Sequence, residues 1–90
     1  MKWRAIGDRA LYFHSWGDEF VVYNSLSGDT HLVGSAAAEI LLKLQQAPSD
    51  AATLAGSLSP MWEVDLGAVL EHQIAHLLTE LNVLALIEPF

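Results

Sequence analysis

The spacing of apolar residues changes partway along this 90-residue chain. The first third holds short runs rich in aromatic and β-branched residues, separated by Gly, Asp and Ser. Residues 10–16 (Ala-Leu-Tyr-Phe-His-Ser-Trp) have the composition of a strand. Gly17-Asp18 breaks that run, and residues 19–24 (Glu-Phe-Val-Val-Tyr-Asn) form a second one. Residues 25–29 are turn material. Residues 30–33 (Thr-His-Leu-Val) predict a third, short strand whose polar–apolar alternation fails at Val33. Two tight connections imply an antiparallel meander. Because the third strand leads straight into a helix, it is expected at the edge of the sheet.

From Gly34 onward the period becomes helical. Ser35 is the expected N-cap of the first helix, since a hydroxyl there can accept from a free backbone N–H. Ala37, Ile40, Leu41 and Leu44 fall on one face, and Pro48 stops the helix. Ser49-Asp50 caps a second helix with Leu54, Ala55 and Leu58 inside, ended by Ser59-Pro60. The third helix is predicted from Asp65, as N-cap, to Leu84. Its apolar stripe is Leu66, Val69, Leu70, Ile74, Leu77, Leu81 and Leu84. A short apolar tail, Leu84-Ala85-Leu86-Ile87, follows. Three strands then three helices make an α+β, winged-helix-like domain, and residues 1–90 form a single one.

Composition narrows the function. With 52% apolar residues and a mean hydropathy of +0.31, the chain has apolar surface to spare for a partner. It has no cysteine, so neither a disulfide framework nor a thiolate metal site is available. No apolar run reaches the ~18–20 residues of a membrane span. Met1-Lys2-Trp3-Arg4 lacks the apolar core of a signal peptide, so a cytoplasmic protein without membrane contact is expected. The net charge is −7, and only Lys2, Arg4, Arg9 and Lys43 are basic. Nucleic-acid affinity rests largely on Lys and Arg displacing counterions from phosphates, and four scattered cations make no basic stripe. Winged-helix domains bind nucleic acids or short peptides, and the charge favours protein or peptide.

Few residues invite chemistry. His72 and His76 lie at i and i+4 with Glu80 one turn further, a spacing that can hold zinc, but no third and fourth ligands are evident. A solvated polar face is the simpler reading. His14 and His31 sit in strands, where cross-strand or partly buried roles are expected. The serines belong to turns and caps, without the context of a nucleophile elbow. Met61-Trp62 reads as an aromatic anchor in a loop, closing the core or touching a peptide. No catalytic residue, metal or cofactor is expected.

The segment Val33-Gly34-Ser35-Ala36-Ala37-Ala38-Glu39-Ile40-Leu41 resembles the part of PqqD-like proteins that joins the last strand to the first helix. Trp62-Glu63-Val64-Asp65 resembles their aromatic-x-Val-Asp entry to the long helix. Gln73-Ile74, Leu77-Leu78, Leu81 and Leu84-Ala85-Leu86-Ile87 resemble that helix and its Gly-Leu-Ile-like exit. The resemblance covers residues 19–88. Tyr23-Asn24 through Gly28-Asp29-Thr30-His31-Leu32 looks closest to small PqqD-like proteins associated with an HPr-kinase-related system. There are departures. Gly34 stands where the family often has Asn, Gln73 replaces an acid, and Ala85 replaces the usual Gly, which makes a left-handed C-cap less comfortable.

The resemblance implies a recognition element for ribosomally made, modified peptides. In that family a leader peptide adds as a strand to the third strand, and a groove against the third helix takes its apolar side chains. Carried over to this chain, Thr30, His31, Leu32 and Val33 supply main-chain pairing. Val69, Leu70, Gln73 and Leu77 are the candidate groove wall. The expected protein is a non-catalytic peptide-binding adaptor or chaperone. It would present a precursor peptide to a modifying enzyme or an HPr-kinase-related protein. The alternatives are a winged-helix transcription factor and a homodimeric scaffold subunit of a kinase-related complex.

Overall fold

The computed structural model describes residues 1–7 and 10–90; Arg9, one of the four basic residues, lies outside them. The elements run β1 (Trp3–Ala5), β2 (Leu11–Trp16), β3 (Glu19–Asn24), β4 (Asp29–Gly34), α1 (Ser35–Gln46), α2 (Ala51–Trp62), α3 (Ala68–Val83) and β5 (Ile87–Pro89). The protein is α+β: β2, β3 and β4 form an antiparallel sheet in that order, followed by three helices. This layout is compatible with a winged-helix-like arrangement. β4 is six residues long, so the third strand outruns the 30–33 expectation at both ends.

Local chemistry explains the sheet. Gly17 takes φ 61° at the first of the two residues between Trp16 and Glu19, which are paired across the hairpin. A two-residue hairpin turn with positive φ at that position favours glycine. Register then sorts the side chains by face. Leu11, Phe13, Phe20, Val22, His31 and Val33 share the inner face, and all are buried or half-buried. Tyr12, Trp16, Tyr23, Thr30 and Leu32 lie on the outer face and are exposed.

The core joins that inner sheet face to all three helices. Ile40, Leu41, Leu54, Leu58, Ile74, Leu78, Leu81, Leu86 and Ile87 are its largest fully buried members besides Val22. The expected buried faces of the first two helices, Ala37-Ile40-Leu41-Leu44 and Leu54-Ala55-Leu58, are as observed. Asp50 caps α2, its Oδ1 accepting from the Thr53 backbone N–H at 2.8 Å.

Five details differ from the sequence expectations. The N-cap of α1 is Gly34, and Ser35 is already helical with no side-chain cap. α2 runs through Pro60 to Trp62. Pro60 removes one helical donor, but the last turn is held from outside. The Trp62 indole N–H donates to the Glu39 carboxylate on α1, and the Ser59 hydroxyl donates to the Val64 carbonyl at 2.6 Å. α3 begins at Ala68 after Gly67, not at Asp65, and at 16 residues is about 24 Å long. Its buried stripe is Leu70, Ile74, Leu78 and Leu81, while Leu66 and Val69 are exposed. Finally, the two ends of the chain pair: β1 and β5 form a two-stranded antiparallel sheet, with Arg4 opposite Glu88 and their side chains 3.3 Å apart.

Candidate functional site

β4 pairs with β3 on one side, and in the described structure nothing pairs with its other side. An edge strand offers a row of free N–H and C=O groups to any added strand. Beside that edge lies a groove of about 240 Å³ lined by Leu32, Val33, Gly34, Ala36, Ala37, Leu77, Glu80, Leu81 and Leu84. Its walls are the end of β4, the first turn of α1 and the C-terminal half of α3. A second, larger hollow of about 620 Å³ is formed by Ala36, Trp62, His72, Gln73, Ile74, His76 and Leu77. The two share Ala36 and Leu77 and so adjoin along α3, together making a mostly apolar trough whose ends are Trp62 and Leu84.

The sequence places the elements of this trough for simple reasons. β4 is continuous with α1 through Gly34, so the first turn of α1 must sit at the end of the edge strand. Ala36 and Ala37 are small and leave space there. Leu77 and Leu78 are adjacent in sequence but point to different surroundings. Leu78 is buried at 1% exposure, while Leu77 is half-buried and lines both hollows.

Of the candidate residues, Leu32, Val33, Gln73 and Leu77 line the trough, with Thr30 and His31 on the same edge strand. Leu70 is packed into the core at 6% exposure, and Val69 faces solvent at 74%. The wall is therefore the flank bearing Gln73, His76, Leu77, Glu80 and Leu84. Of these, His76, Glu80 and Leu84 were not among the expected peptide contacts. His76 and Glu80 read from sequence as a solvated polar face, and a three- and four-residue period cannot choose which leucines the core takes. The sequence places Trp62 in a loop as an anchor; it stands in the last turn of α2, packs against the core as expected and closes one end of the trough, while Met61 beside it is exposed.

The electrostatics of the trough are one-sided. His76 Nε2 and Glu80 Oε1 lie 3.0 Å apart on its rim, both largely exposed. Among the described residues no Lys or Arg lines either hollow. His31 is half-buried on the inner sheet face, and its Nε2 is buried with no hydrogen-bond partner among the described residues. Among the described residues no group of three or more His, Asp or Glu side chains converges as a metal site would need. No helix among them is long and apolar enough to cross a membrane.

Comparison with family models, with curated proteins and with solved structures finds no match to this chain.

Proposed function

We propose that this protein is a non-catalytic adaptor that takes up an extended peptide segment as a fourth strand beside β4. The segment's apolar side chains would enter the trough along α3. The observation that carries this reading is the coincidence of a free strand edge with an apolar trough directly beside it. Main-chain pairing gives such a complex its affinity, and the pockets give it selectivity. The resemblance to PqqD-like peptide-recognition elements agrees with it. On that resemblance the peptide is a precursor leader, and the partner is its cytoplasmic modifying enzyme or an HPr-kinase-related protein. Nucleic acid fits poorly. Of the described cations, Arg4 is already engaged by Glu88, and Lys2 and Lys43 form no stripe.

A second reading is favoured by the outer sheet face, where Tyr12, Trp16 and Leu32 are each at least 60% exposed. Such a surface suits self-association as a homodimeric scaffold. Light scattering at several concentrations separates the two, since the adaptor stays monomeric and gains only the mass of a bound peptide.

The adaptor reading is tested by proline substitution along β4. Neighbouring N–H groups in a strand point to opposite sides, so one of His31→Pro and Leu32→Pro removes a donor from the β3 ladder and the other removes one from the free edge. Peptides selected from a random library against the intact protein serve as the ligand. The edge-side variant is expected to keep most of its thermal stability and lose peptide affinity by tenfold or so, about 1.4 kcal/mol. Unchanged affinity in whichever variant remains folded contradicts strand addition.

A further inference from the structure

We infer that the peptide received by this trough carries Lys or Arg beside its apolar anchors, and that Glu80 is the side chain that meets the cation. The inference rests on the docking reading above. Glu80 lines the groove next to Leu77, Leu81 and Leu84, and also the hollow formed with Thr79 and Val83, so it stands on the rim at the Leu84 end of the trough. At the other end, the half-buried Glu39 carboxylate already takes the Trp62 indole N–H. Among the described residues the only cation-forming side chains on the lining are His72 and His76. The chain as a whole carries −7, so the field over this surface attracts positive segments from solution. In an added strand alternate side chains face the same way. An apolar residue in the trough thus places the side chain two positions away on the same face, within reach of the rim. An acidic side chain there would meet Glu80 as a like charge, and a neutral one would leave it with only the His76 imidazole, 3.0 Å away, as a partner.

Four synthetic peptides of about twelve residues, a length that spans a strand with room to spare, decide the matter. The first three repeat valine-threonine-X-threonine, with X lysine, glutamate or threonine, so that valine and X share a face. The fourth is the lysine repeat with every valine replaced by threonine. Affinities are measured by fluorescence anisotropy at about 10 mM salt, where the Debye length is ~30 Å, and again near 1 M. The lysine repeat is expected to bind about tenfold tighter than the glutamate repeat at low salt, with the gap closing at high salt. Glu80→Gln should close most of the low-salt gap. Asp18→Asn, which removes the same charge from the β2–β3 turn, should leave it in place. The valine-free peptide should bind weakest, because net charge alone does not anchor it. If the lysine, glutamate and neutral repeats bind equally, the charge preference is wrong while peptide docking stands. A gap that survives Glu80→Gln overturns the role of Glu80. If none of the four binds, peptide docking and the charge preference fall together.

Discussion

Ala85 is held at φ 59°, in the left-handed region, where it closes α3: its N–H bonds to the Asn82 carbonyl and that of Leu86 to the Leu81 carbonyl. This is the usual place for glycine, and a β-carbon is unfavourable there. Ala85→Gly is therefore expected to raise stability by about 0.5–1 kcal/mol, read as a higher denaturant midpoint at unchanged slope. The strain persists because buried Asn24 holds the turn, its Nδ2 donating to the Ala85 carbonyl at 3.4 Å while its Oδ1 accepts from the Leu26 N–H. Asn24→Ala strands both backbone groups and is expected to cost about 1–3 kcal/mol in chemical denaturation. At Asp50 the backbone N–H of Thr53, helped by its side chain, holds the carboxyl below the usual carboxylate range. A lowered folded-state value stabilises the protein above the unfolded value and is lost as pH falls through the folded one. The thermal midpoint of the parent should exceed that of Asp50→Ala at neutral pH, with the gap narrowing below about pH 3.8. Asp50 was legible as a cap because it stands directly before the helical run, with a carboxylate able to take a free backbone N–H. Gly34 and Gly67 were not, because Ser35 and Asp65, one and two residues away, are stronger capping residues.

Among the elements, the three-stranded sheet and the two shorter helices follow from local period and turn residues, and they are where sequence reasoning serves well. It misses β1 and β5, because two three-residue strands from opposite ends of the chain carry no periodic signal and exist only as a pair. It also stops α2 early, because the contact between Trp62 and Glu39 that carries the helix past Pro60 links positions 23 apart. The face of α3 is the instructive case. Its apolar residues are too many for one stripe, and the sequence does not say which of them the core takes. The structure gives Leu78 to the core and leaves Leu77 at the trough. Leu78→Ala is accordingly expected to cost ~2–5 kcal/mol of stability. Leu77→Ala should cost less than about 2 kcal/mol and weaken peptide binding in the folded protein. Denaturant titration together with peptide affinity checks both, and equal effects of the two variants on stability would show that Leu77 belongs to the core instead.

At the scale of the whole molecule, an acidic body of 36 × 31 × 20 Å presents the free edge of β4 with an apolar trough beside it, and an exposed outer sheet face. The edge position of β4 was legible from its place just before a helix, and the trough was anticipated only through the resemblance to PqqD-like proteins. The detail of its wall depends on how α3 is rotated, which no local signal sets. Mapping backbone amide shifts of the isotopically labelled protein during titration with a library-selected peptide tests the central claim most directly. Strand addition predicts the largest perturbations at Thr30, His31, Leu32 and Val33, with Gln73, Leu77 and Glu80 on α3 moving in the same titration. Perturbations confined to α2 and the first turn of α1, with residues 30–33 and α3 silent, would contradict it.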